Sequence, residues 1–181
     1  PGGKVVNASS EENMLVVNGM SEFARDAENS NSALLVGVNP NDFGSENPLA
    51  GMYFQRNLEK KAFQLGGEDY SAPVQRVDDF LHNRKSSCLG SVNPSISPNF
   101  VLSDLNSILP EYVSTAMKLS ITEMGRKLKG FDDGDAVLTG IETRSSSPIR
   151  ILRNSDTLQS VSIDGLYPCG EGAGYAGGIL S

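Results

Sequence analysis

Tryptophan is missing from this sequence, histidine occurs once and cysteine twice. So few His and Cys side chains cannot supply the tetrahedral ligand set of a structural zinc site. Cys88 and Cys169 form no CxxC pair, and nothing in their spacing calls for a disulfide, so a reducing, cytoplasmic compartment is the expectation. Long apolar runs are also lacking. None approaches the roughly 20 residues that cross a bilayer, so no membrane span is expected. The chain opens Pro1-Gly2-Gly3 with no initiator Met and no basic-then-apolar leader, from which a start within a longer protein is expected. Basic charge is thin: 15 Lys and Arg stand against 22 Asp and Glu, a net charge of −7. That balance argues against a nucleic-acid partner, which needs clustered cations. The densest basic group, Arg126-Lys127-Leu128-Lys129, falls where a helix is expected to end, the ordinary place for cations.

What is present describes a globular chain, with 38% hydrophobic and 20% charged residues. Lys4 to Ala8 and Met14 to Val17, around a polar Ser9–Asn13 stretch, predict a hairpin. Ala33 to Val38 (ALLVGV) is continuously apolar and predicts a buried strand. Asn47 as N-cap, Pro48 behind it and Gly66-Gly67 at the far end bracket a helix. Its apolar stripe is Phe54, Leu58, Ala62 and Leu65, with Arg56, Glu59 and Lys60 off that face. A shorter helix is expected from Pro73, with Val74, Val77, Phe80 and Leu81 as its stripe, then a loop over residues 85–100. Ser103 is read as a cap for a short segment, Asp104 to Leu109. Pro110 then begins a long helix whose stripe is Val113, Met117, Ile121, Met124 and Leu128. Ala136 to Thr143 and Ile149 to Arg153 read as strands, with Val161 to Ile163 as a further pairing segment. The order is strands, helices over residues 48–130, then strands. That is an α+β pattern with mixed or antiparallel sheet.

The segment with the most chemical content is GLYPCGEGAGYAGG, Gly165 to Gly178. Gly170, Gly172, Gly174, Gly177 and Gly178 would each cost roughly 0.5–1 kcal/mol against Ala in a helix interior, so they must permit positive φ or close approach of a neighbour. An apolar strand that enters such a turn and opens a helix presents amide donors to an anion or a polarised carbonyl. Glu171 would repel a phosphate and is suited instead to accept hydrogen bonds from hydroxyls, as of a sugar or ribityl chain. The competing reading is a loop that merely packs tightly against a neighbouring strand. Gly172 to Gly177 matches GxGxxG formally, but no βαβ unit with an acid about 20 residues on follows it, so a primary dinucleotide fingerprint is not supported.

The same segment resembles the GLYPxGEGAGYAGGI ending of the NAD(FAD)-utilising dehydrogenase family of FAD-dependent proteins. Pro1-Gly2-Gly3, Val16 to Ala24, Arg25 to Val36, and Ala136 to Ile151 are similar to the family pattern as well, so the resemblance covers essentially the whole chain. It implies a Rossmann-type FAD domain interrupted by an inserted domain. Residues 1–163 would be the insertion, on the substrate side. Residues 164–181 would be a returning strand and flavin-facing loop, with an N-terminal FAD domain as the missing partner. It further implies that Glu171 binds the ribityl hydroxyls. Gly170, Gly172 and Gly174 would shape the turn, while the backbone of Tyr175, Ala176, Gly177 and Gly178 faces the isoalloxazine carbonyl. The wider flavoprotein group has Asp where this chain has Glu171. FAD would be the cofactor of the intact protein and scarcely retained by these 181 residues, which would be inactive alone, with NAD or NADP as further candidates.

Outside that loop, Arg144, between two expected strands, and Arg25, in a polar stretch with Asp26, Asn29 and Asn31, are candidates for holding an anionic substrate; each has a structural alternative as a turn or ion-pair residue. No catalytic residue and no particular substrate is legible. His82 reads as a surface residue and Cys169 as a small buried neighbour of the loop. Asp132-Asp133-Gly134-Asp135 reads as a solvated turn that lacks the calcium-loop spacing. A non-catalytic binding module with a structural glycine loop is the alternative function.

Overall fold

The structure, a computed structural model, describes residues 2–177. Its elements are β1 (Gly3–Asn7), β2 (Val17–Ser21), α1 (Ala50–Leu65), β3 (Ala72–Arg76), α2 (Val77–Leu81), β4 (Ile96–Ser97), β5 (Phe100–Leu102), α3 (Glu111–Lys127) and β6 (Val137–Thr139). This is a mixed α+β fold with two three-stranded sheets, ordered β2-β1-β4 and β5-β3-β6. Each sheet is itself mixed: β1 runs antiparallel to β2 and parallel to β4, while β3 runs parallel to β5 and antiparallel to β6. The chain forms two compact units. The first comprises Pro1–Gly37 and Asn57–Glu142, the second Val38–Arg56 and Thr143–Ser181.

Both sheets lie in the first unit. The expected N-terminal hairpin forms, but its second strand begins at Val17, where the expected one ended, and Asn7 pairs with Val17. Leu15, Val16 and Val17 are buried, so burial rather than sheet pairing occupies that apolar run. Around β3 the sequence reading is overturned. Pro73 and Val74 lie in the central strand of the second sheet, not in a helix. Proline is tolerated there because its carbonyl accepts from the Gly140 amide at 3.0 Å, while the register with β6 starts only at Val74. The short α2 then starts at Val77, and Phe80 from its buried face is fully enclosed. Asp104, not Ser103, caps the following 3-10 turn, because its carboxylate reaches the Asn106 amide at 3.0 Å. Ser103 is instead buried, with its hydroxyl donating to the Val101 carbonyl at 3.0 Å.

The long helix α3 follows Pro110 as expected, but only Ser114 and Ile121 are buried, so it covers the unit with one narrow stripe. On α1, Leu58 and Ala62 of the expected stripe are buried and Phe54 and Leu65 half-buried, while Phe63, outside that stripe, is buried too. Glu59, expected off the apolar face, is fully buried as well. Ala33 to Val38 forms no strand, and Leu35 and Val38 are exposed. The run leads instead into a 3-10 turn, Pro40–Phe43, that Asn39 and Asp42 cap reciprocally.

Polar pins hold the first unit as much as apolar contacts do. Gln75 is fully buried on β3 and satisfied throughout: its amide donates to the Arg84 carbonyl (2.7 Å) and Asp104 (3.2 Å), and its oxygen accepts from the Leu105 amide (2.8 Å). Next to it, Arg76 donates to Asp135 at 2.6 Å, and Asp135 accepts twice from Ser91, from its amide and its hydroxyl, both at 2.8 Å. Gly90 leaves the space this needs, since a Cβ there would lie 2.0 Å from the Asp135 carboxylate. The turn over residues 132–135 is thus an anchor, not merely a solvated bend. No group of His, Cys, Asp or Glu among the described residues could hold a metal ion, and no described helix is long and apolar enough to cross a membrane.

The Ser91 hydrogen bonds, then Arg76, lower the Asp135 carboxyl from its ordinary 3.8 to about 2. A carboxylate with a depressed folded-state pKa contributes stability above its unfolded value and loses it as pH falls through the folded value. The Asp135→Asn protein should therefore be less heat-stable at neutral pH. The gap to the unchanged protein should narrow as pH falls from about 4 towards 2, as followed by thermal unfolding at a pH series.

Candidate functional site

The glycine loop belongs to the second unit, and its two halves meet different surroundings. Residues 170–175 close on themselves: the Gly174 amide donates to the Glu171 carbonyl (2.9 Å) and the Tyr175 amide to the Gly170 carbonyl (3.0 Å). One edge of this turn is fastened to residues 147–151. The Ile151 amide donates to the Ala173 carbonyl at 3.2 Å, and the Ser147 hydroxyl to the Gly172 carbonyl at 3.2 Å. Gly174 makes the closest approach. It has φ +81°, and a Cβ there would lie 2.7 Å from the Ile149 carbonyl oxygen and 3.0 Å from the Arg150 Cα. Only glycine meets both demands, and packing alone explains it.

The other edge is open. A Cβ on Gly170 or Gly172 would meet nothing within 4 Å, and Glu171 between them is exposed. Gly170 needs glycine for its positive φ of 77°, whereas Gly172 has no positive φ and nothing that a Cβ would strike, Ser147 touching only its carbonyl. Among the described residues, the amides of Glu171, Gly172, Ala173 and Ala176 have no hydrogen-bond acceptor. Ala176 is partly buried and Gly177 exposed, where a Cβ would come within 3.9 Å of the Ser146 side chain. Gly178 lies outside the described residues.

Two arginines that the sequence reading passed over complete this site. The guanidinium carbons of Arg150 and Arg153 lie 4.3 and 3.8 Å from the Tyr175 ring centroid, within the range of cation–π attraction. Arg153 also donates to the Pro168 carbonyl, which ties the start of the loop to the same ring. Among the described residues, neither arginine has a carboxylate partner. Read as a strand, Ile149 to Arg153 would send side chains three positions apart to opposite faces. The segment is not a strand, and both guanidinium groups reach one ring. Arg150 further lines a groove of about 270 Å³ together with Pro40, Phe43, Glu46 and Pro148. The Phe43 and Phe54 rings, 5.6 Å apart, pack in the same unit.

Several expectations near this site need correction. No strand leads into the loop and no helix opens within residues 164–177: residues 164–169 accept single bonds, the Leu166 carbonyl from the Ser160 amide at 2.7 Å and the Pro168 carbonyl from Arg153, and a strand needs a continuous ladder. Ile149 to Arg153 makes one isolated bridge, Arg153 with Ser160, and Val161 to Ile163 forms no strand, where a pairing segment was expected. Cys169 is exposed rather than buried, as is Cys88, and both are free thiols. His82 lies at the surface as expected, against Asp78 at 3.2 Å.

The two arginine candidates occupy different units. Arg144 is exposed in a segment without regular structure, following Thr143, whose carbonyl accepts from Gln55 of α1 at 2.7 Å. Just before it, burial pushes the Glu142 carboxyl above its ordinary range. Arg25 is exposed in a tight turn at φ +52°, its amide bonded to the Glu22 carbonyl at 3.1 Å.

Substituting alanine at the two inner glycines separates the halves of the loop. Gly174→Ala should destabilise the chain by at least about 1 kcal/mol, from strained φ and a clash with backbone that cannot swing aside. Gly172→Ala should leave stability within about 0.5 kcal/mol, as an open surface position does. Urea unfolding of the two variants checks both.

A protein of Clostridium beijerinckii (strain ATCC 51743 / NCIMB 8052), bearing the description "Uncharacterized protein", is 54% identical to this chain over 181 residues. The match takes in 100% of the chain but 34% of the relative, so the chain spans about a third of the length of the curated relative it matches. Residues 1–145 match the family described as "FAD-dependent protein, C-terminal domain-like". With most of its length so matched, the chain belongs to the FAD-dependent protein, C-terminal domain-like family.

Proposed function

We propose that this chain is the substrate-side portion of an FAD-dependent oxidoreductase and that its glycine loop faces the flavin. In this reading residues 1–163 form the inserted, substrate-side region and residues 164–181 return to the flavin domain. The nucleotide-binding GxGxxG unit lies in the remainder of the intact polypeptide, which is the partner of this region. The observation that carries the proposal is the open edge at Gly170-Glu171-Gly172: an exposed carboxylate, amides without acceptors among the described residues, and a glycine at 172 that the chain's own packing does not require.

These residues fit the ribityl chain and ring edge of FAD. Glu171 would accept hydrogen bonds from ribityl hydroxyls, and its bareness at both neighbours leaves room for that chain to approach. The backbone of Tyr175, Ala176, Gly177 and Gly178 would lie towards the isoalloxazine carbonyl. Arg144 and Arg25 are the candidates for holding an anionic substrate. When bound, FAD would supply the hydride or electron chemistry, and the protein orientation and electrostatics. NAD or NADP is a further candidate as redox partner. The structural reading of the loop has its own support in Gly174, whose place packing alone explains. It accounts for one edge of the loop and leaves Gly172 without a reason.

The intact gene product, purified and scanned for flavin absorbance, tests the proposal, and a product that takes up no FAD ends it. Replacing Glu171 by Leu should weaken FAD binding roughly 10- to 100-fold, the effect of losing hydrogen bonds to a charged acceptor worth about 1.5–3 kcal/mol. Glu171→Gln should weaken it less. The 181 residues alone, titrated with FAD, should show no binding at micromolar concentration, because the nucleotide half of the cofactor has no site on them.

A further inference from the structure

The segment between Leu152 and Tyr167 folds back on itself with its polarity reversed. The Val161 amide donates to the Leu152 carbonyl (3.2 Å), the Asn154 amide to the Gln159 carbonyl (2.9 Å) and the Ser160 amide to the Leu166 carbonyl (2.7 Å). These bonds bring the two arms together around the Arg153–Ser160 bridge. At that bridge the polar residues turn inward: Ser160 is 8% exposed, and Arg153 lies against Tyr175. Their neighbours Leu152 and Val161 turn outward and are 63% and 64% exposed. Leu158, Ile163, Leu166 and Tyr167 are exposed as well.

A solvated hairpin alternates the other way, with apolar residues inward and polar residues in water. A scattered exposed Leu needs no explanation, but six large apolar side chains within one short, internally bonded excursion do. The reversal cannot be cured by turning the hairpin over, because Arg153 is held by the Pro168 carbonyl and the Tyr175 ring.

We infer that this hairpin is a docking face and that its occupant is the remainder of the intact polypeptide, the two thirds of the relative's length that this chain does not span. The inference rests on the reading under Proposed function only in taking the chain as part of a longer one. A covalently joined partner meets the face at a high effective concentration, which favours it over a second copy. Asp156 and Asp164 on the same excursion, and a net charge of −7, disfavour an anionic lipid surface. The face runs straight into the glycine loop through Tyr167 and Pro168, so docking it would also place the open edge of that loop against the same partner.

A photo-crosslinking residue tests this. With p-benzoylphenylalanine in place of Ile163 in the intact gene product, irradiation followed by peptide mass spectrometry should give cross-links to sequence outside these 181 residues. Leu152→Glu combined with Val161→Glu should cut their yield about tenfold, since a carboxylate is costly to bury in an apolar contact. Cross-links that map within these residues, to the same or a second molecule, overturn the inference, as does the absence of any cross-link. A reading frame that encodes no more than these 181 residues also overturns it. The visible spectrum of the same preparation keeps the two readings apart. A colourless product that cross-links outward sinks the flavin assignment alone, and a yellow product that cross-links inward sinks the docking face alone.

Discussion

Everything proposed for the second unit depends on one steric contact, that of Gly174 with the backbone of Ile149 and Arg150. Because no side chain intervenes, the turn at residues 170–175 can lie against residues 147–151 closely enough for two hydrogen bonds to join them. That apposition brings two guanidinium groups to the Tyr175 ring and carries Pro168 to Arg153. It also decides which edge of the loop remains free. With the carbonyls of Gly172 and Ala173 and the Cα of Gly174 held against residues 147–151, the Glu171 side chain stays exposed and the space beside the α-carbons of Gly170 and Gly172 stays open.

The first unit is organised differently. Its two small sheets have short strands, and α3 buries little of its surface, so apolar contact alone covers little of the backbone. Hydrogen bonds from enclosed polar side chains compensate. Gln75 joins β3 to the turn after Ser103, and Asp135 joins β3 to the loop at Ser91. Fully buried Gln75 raises the cost of opening locally, since it would be left unpaired in an enclosed setting, while half-buried Asp135 adds a charge-assisted tie.

Family membership gives these features a common frame. A region matched along its whole length by a relative about three times as long does not have to complete every surface by itself. An open loop edge, a hairpin with outward apolar residues and an irregular approach to the loop are all forms that a neighbouring layer would satisfy. Residues 164–169, which form no ladder of their own beyond the single bonds at Leu166 and Pro168, obey the same logic, because a β-strand is a property of two segments and not of one.

The amino-acid sequence by itself determined the helices bracketed by caps, α1 from Asn47 and α3 from Pro110, and the turn-forming character of the glycine loop, because helix ends and positive φ are local matters of steric fit and hydrogen bonding. It also carried the family resemblance through that loop. Tertiary structure alone decided that Pro73 and Val74 would be strand, that the apolar run at 33–38 would lie exposed, that Glu59 and Gln75 would be buried, and that Arg150 and Arg153 would share one aromatic ring. Each of those outcomes depends on which distant segment arrives as a neighbour. Periodicity reports which residues share a face of a regular element, and says nothing of what that face will meet or of segments that never become regular.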